Sequence, residues 1–97
     1  MAEVTKEQIE SWKKKHGDVF EVNVDGRTAY LKKPDRKVLG AASVLGKDDP
    51  MKYNETLLGN CWLGGDEEIK TDDSLFLGVS SVLAEIIEIK KAEIKKI

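Results

Sequence analysis

The sequence predicts an α+β domain: an N-terminal helix, one β-hairpin, then three helices with a long one at the C-terminal end. Two observations lead to this. Residues 20–34 alternate about an Asp25-Gly26 pair, and nothing else in the chain reads clearly as strand. On both sides of that stretch, apolar residues recur at helical spacing between capping and breaking residues.

Thr5 followed by Gln8 has the form of a capping box, with Val4 placed as a staple. A short helix is expected from about Lys6 to Lys15, carrying Ile9 and Trp12 on one face and ended by Gly17. Asp25-Gly26 is the signal for a type I′ turn, which needs positive φ at both central residues. Folding there pairs Val24 with Arg27, Val22 with Ala29 and Phe20 with Leu31. Phe20, Val22, Ala29 and Leu31 then share one face, and Glu21, Asn23, Thr28 and Tyr30 the other. A lone hairpin is marginal in water, so helices must cover its apolar face.

Pro34 ends the hairpin and Asp35 can cap the next helix, with Val38, Ala41, Ala42 and Leu45 on one face and Gly46 closing it. Asp49-Pro50 starts another helix, along which Tyr53, Leu57, Leu58, Cys61 and Trp62 follow at helical spacing until Gly64-Gly65. Thr71-Asp72-Asp73 caps a last helix that could reach Lys96. Its first half is apolar on several sides, through Leu75, Phe76, Leu77, Val79, Val82, Leu83, Ile86 and Ile87. The whole, 1–97, reads as one domain, with the hairpin at about 19–33 and the helical part at about 35–97.

Charged residues make up 35% of the chain and apolar residues 40%, the balance of a folded domain with a well-solvated surface. A formal net charge of −2 argues against a dedicated nucleic-acid binder, which needs a basic excess. No apolar run is long enough to span a membrane, and the polar N-terminus does not read as a signal peptide. One cysteine, Cys61, excludes an internal disulfide and fits a reducing cytoplasm.

Few residues suggest chemistry. Cys61 would need a base such as His16 to act as a nucleophile, and no motif joins them. A buried structural cysteine is the simpler reading, with His16 as a helix-terminal residue. The acidic segment Asp66 to Asp73 fails the EF-hand spacing: its sixth position is Thr71 instead of Gly, its twelfth Leu77 instead of Glu. No metal or cofactor site is therefore expected. Lysine clusters at 13–15, 32–33, 90–91 and 95–96 read as solvated faces. Trp62, ahead of Gly64-Gly65, is either core or an anchor for a partner.

The order of elements, with Lys33-Pro34-Asp35-Arg36 after the hairpin and Asn60-Cys61-Trp62 closing a helix, resembles the small tail assembly chaperones of bacteriophages and prophages. The resemblance lies in layout from Thr5 to Ile97. It implies a non-enzymatic cytoplasmic protein that binds the helical tape-measure protein and keeps its apolar stripes soluble. It carries over no site residue. The candidate partner-binding residues, Trp62, Ile87, Ile89 and Ile94, come instead from the excess of apolar residues along the last helix and beside the Gly-Gly break. The same strip could support a homo-oligomer. The alternative is a small nucleic-acid-associated regulator using the lysine clusters.

Overall fold

The computed structural model describes residues 4–87 and 90–97. The order is α1 (Lys6–His16), β1 (Val19–Val24), β2 (Arg27–Lys32), α2 (Arg36–Leu45), α3 (Pro50–Cys61), β3 (Trp62–Gly65), α4 (Glu68–Thr71) and α5 (Asp73–Ser80). A 3₁₀ turn, Leu83–Ile86, follows. The α+β class is as the sequence predicts.

Helix starts are set by short-range hydrogen bonds. Thr5 accepts from the Gln8 N–H at 3.2 Å, while the Gln8 side chain accepts from the Thr5 N–H at 2.9 Å. Asp35 accepts from the Val38 N–H, Asp49 from the Met51 N–H and Asp72 from the Leu75 N–H. At the other end of α1, the Gly17 N–H donates to the Lys13 carbonyl at 2.9 Å.

The hairpin has the expected register, with Val24 opposite Arg27, Val22 opposite Ala29 and Phe20 opposite Leu31. Asp25 and Gly26 have φ of 43° and 75°, the left-handed pair a type I′ turn requires. Ala29 and Leu31 are fully buried. They join Leu57, Leu58, Cys61, Ile69, Leu75, Val79, Leu83 and Ile86 in one core, so the helical layer covers this face of the sheet. On the other face, α1 lays Trp12 beside Tyr30, ring centroids 5.8 Å apart.

Three expectations are corrected. First, the hairpin gains a third strand: β3 pairs antiparallel with β2, in the order β1-β2-β3. Trp62 therefore opens a strand instead of continuing the helix, and Leu63 forms a bulge between the Gly64–Tyr30 and Trp62–Leu31 pairs. The glycines that read as a helix break are what let this strand sit. A Cβ on Gly64 would lie 2.9 Å from the Trp12 ring, and one on Gly65, at φ 126°, would fall on the Thr28 carbonyl oxygen.

Second, the long C-terminal helix is not formed. Helix α5 stops at Ser80, and residues 90–97 carry no helix. Gly78-Val79-Ser80-Ser81-Val82 is poor helix sequence, combining Gly, serines and β-branched residues. The Ser81 hydroxyl also donates back to the Gly78 carbonyl at 2.7 Å. The turn that follows returns Leu83 and Ile86 to the core, each under 5% exposed. A straight helix would carry that pair past the edge of the sheet, since it advances about 1.5 Å per residue.

Third, the buried stripe of α2 is Val38, Leu39 and Ala42; Ala41 and Leu45 face solvent. The helix packs chiefly against α3, with Gly46 closed against Tyr53. Its covered side is set by that neighbour.

Candidate functional site

Cys61 ends α3 with no exposed surface. Burial pushes its thiol above the ordinary value; the nearby Lys32 ammonium opposes this and the Asp35 carboxylate adds to it. A thiol held protonated in an apolar setting is inert, because the thiolate is the nucleophile. His16 lies in the last turn of α1, and no hydrogen bond joins it to Cys61.

The acidic segment is occupied with structural work. Asp66 completes the sheet edge: its N–H donates to the Thr28 carbonyl at 2.9 Å, and its carboxylate accepts from the Thr28 N–H at 3.0 Å. Glu68 pairs with Arg27 at 2.7 Å and Glu67 with Lys70 at 3.1 Å. Asp72 caps α5. Among the described residues no group of three or more His, Cys, Asp or Glu is arranged to hold a metal ion.

The Tyr30 phenol is also raised. Desolvation raises its phenol, helped by the hydrogen bond it donates to Glu21 at 3.0 Å and by the charge of that carboxylate. The network continues through Glu21 to the Asn23 amide at 3.3 Å, and from the Thr28 hydroxyl to the Asn23 carbonyl oxygen at 2.8 Å. It braces the polar face of the hairpin.

The four predicted partner-binding residues are not gathered on one helix. Trp62 is half-buried, packed on the core beneath the Lys70 ammonium, which stands 4.3 Å from the ring centroid. Ile87 is half-buried just after the 3₁₀ turn. Ile94 is fully exposed in a segment without regular structure, and Ile89 lies outside the described residues.

Besides Ile94, Ile97 and Leu77, exposed large apolar residues lie at the α2–α3 turn. Val44 is 75% exposed, Leu45 56% and Met51 40%, all about the turn that joins α2 to α3. Helical periodicity assigned Leu45 to a covered stripe. The signal that could have found this patch is the adjacent pair Val44-Leu45: neighbouring residues on a helix point about 100° apart, so a single packing partner rarely covers both. The turn between them and Met51 is polar, Lys47-Asp48-Asp49, which gives the patch a charged rim.

No helix among the described residues is long and apolar enough to cross a membrane. No family model matches the chain, and neither a curated protein nor a solved structure matches it.

Proposed function

We propose that this protein is a non-enzymatic, cytoplasmic protein-binding module that works as a tail assembly chaperone of phage or prophage origin. Its client is a long amphipathic helix of the tape-measure type. The observation that carries this reading is the exposed apolar end of the α2–α3 hairpin, Val44, Leu45 and Met51, with its charged rim. A client helix laying its apolar stripe on these residues removes both surfaces from water, and the methionine supplies an adaptable contact. The resemblance of the sequence to tail assembly chaperones supports the same reading.

The test is fluorescence anisotropy with a labelled synthetic amphipathic helix carrying a continuous leucine stripe. Binding is expected to survive added salt, and V44E together with L45E is expected to weaken it at least about tenfold, the scale of one or two lost apolar contacts. The melting temperature should barely change, since both side chains are exposed. Absence of helix binding, combined with binding to duplex DNA that vanishes as salt rises, would replace this reading with the nucleic-acid alternative.

A further inference from the structure

We infer that Asp25-Gly26 is a site of spontaneous covalent modification, at which the main chain shifts onto the Asp25 side chain to give an isoaspartyl linkage. The reaction needs a carboxyl group, a main-chain N–H immediately after it, and room to bring the two together. Gly26 is the only glycine in the chain that follows an Asp or Asn. Its lack of a side chain removes the hindrance to closing a ring on its nitrogen, and open space surrounds the position a Cβ would take. Among the described residues no hydrogen bond engages the Gly26 N–H. The Asp25 side chain is 86% exposed, and its ion contact with Arg27 is a long 3.9 Å. Glu68 holds the Arg27 guanidinium more closely, at 2.7 Å. The other aspartates are placed differently. Asp35, Asp49, Asp66 and Asp72 each accept a hydrogen bond from a main-chain N–H. Asp49 is followed by Pro50, which has no N–H to react. Asp18, Asp48 and Asp73 all precede residues with a side chain.

The Gly26 nitrogen attacks Cγ of the Asp25 carboxylic acid. A C–N bond forms, the Cγ–OH bond breaks, and the amide proton leaves with the hydroxyl as water. Water then opens the five-membered succinimide. Attack at Cγ restores aspartate. Attack at the former main-chain carbonyl breaks its bond to nitrogen and leaves the chain running through Cγ, with a free α-carboxylate. Nothing is oxidised or reduced. The hairpin governs the rate. Asp25 holds φ of 43°, as one of the left-handed pair that defines the turn. Closing the ring requires the Asp25–Gly26 peptide to rotate out of that geometry, so the reaction proceeds through local opening of the turn. The product no longer fits the fold. Its linkage adds a carbon to the main chain of a two-residue turn, whose length sets Val24 opposite Arg27 and Val22 opposite Ala29. Ala29 belongs to the core, so a hairpin that loses this register loses packing with it. The turn that specifies the hairpin is therefore also the point at which the chain ages.

The experiment holds the full chain for weeks in heavy-oxygen water at neutral pH, native and in guanidinium chloride, followed by proteolysis and mass spectrometry. Each opening of the ring adds one heavy oxygen, and fragmentation along the main chain separates the isoaspartyl product from aspartate. Label is expected at Asp25, with isoaspartate accumulating there and not at Asp66 or Asp72. The unfolded chain is expected to react at least about tenfold faster than the native one, because the native turn must first open. D25E, which cannot close a five-membered ring, is expected to take up no label at this position. The modified chain, separated by chromatography, should exchange its Val24 and Arg27 amides at least about tenfold faster than the unmodified protein. A native chain that takes up no label at Asp25, equal labelling at Asp66 or Asp72, or label that persists in D25E would each overturn the proposal. So would native reaction as fast as in denaturant, or unchanged amide exchange in the modified chain. None of these outcomes bears on the apolar end of α2–α3, so the two readings fail separately.

Discussion

Asp25 and Gly26 show how much a pair of residues can specify. Gly26 has φ of 75° and open space around the position of a Cβ, so the cost of a side chain there is torsional and not steric. Gly26→Val is expected to lower stability by about 1–2 kcal/mol; chemical denaturation would measure it, and an unchanged midpoint would remove the type I′ assignment. Tyr30 makes a statement about pH. Its raised pKa means that the folded chain keeps the phenolic proton after the unfolded chain has released it. The stabilisation is complete below about pH 10, the unfolded value, and is lost as pH rises through the higher folded value. Cys61 acts with the same sign over the thiol range. Denaturation midpoints should therefore fall on the alkaline side, and E21Q should reduce the part of the fall that Y30F abolishes. Native Cys61 is expected to react with a disulfide reagent far more slowly than the unfolded chain does. Rapid native labelling at neutral pH would reopen its case as a nucleophile.

At the scale of elements, α1 and the chain end form a contrast. Helix α1 has no fully buried residue, yet it is tied to the sheet through Trp12, which meets Tyr30 and overlies Gly64. Trp12→Ala is expected to cost about 2 kcal/mol and to speed amide exchange in α1 more than in β2, where the core holds the strand. The 3₁₀ turn looks minor but carries core residues. Leu83→Ala should cost about 2–4 kcal/mol, whereas Ile94→Ala should leave the unfolding midpoint of the monomer unchanged. Equal effects of the two would restore the continuous helix that periodicity suggested.

For the whole molecule, the sheet is covered unequally. One face carries the core, the other a single amphipathic helix, and β1 and β3 are the terminal strands. Function is proposed at the end of the α2–α3 hairpin, which this arrangement leaves exposed. In sequence, Trp62 stands as a possible anchor ahead of two glycines; in the fold those glycines seat a strand, and the indole packs on the core under Lys70. A continuous last helix would join Ile87 and Ile94 on one strip, and the chain's turn after Ser80 separates them.

What the sequence determined by itself is the part of the structure whose forces act over a few residues. The turn at Asp25-Gly26, the hairpin register that follows from it, and the caps at Thr5, Asp35, Asp49 and Asp72 each depend on hydrogen bonds or torsions within about four positions. Tertiary structure alone decided the third strand, the end of α5 and the exposed side of α2. Gly64-Gly65 is a break when read locally and becomes a strand only because Trp12 and Thr28, distant in sequence, approach closer than any side chain would permit. The last helix ends where burying Leu83 and Ile86 against the sheet outweighs continuing a ladder of hydrogen bonds through glycine and serine. Which strand of the hairpin is terminal follows from the same choice: β3 pairs with β2, and β1 is left at the edge of the sheet.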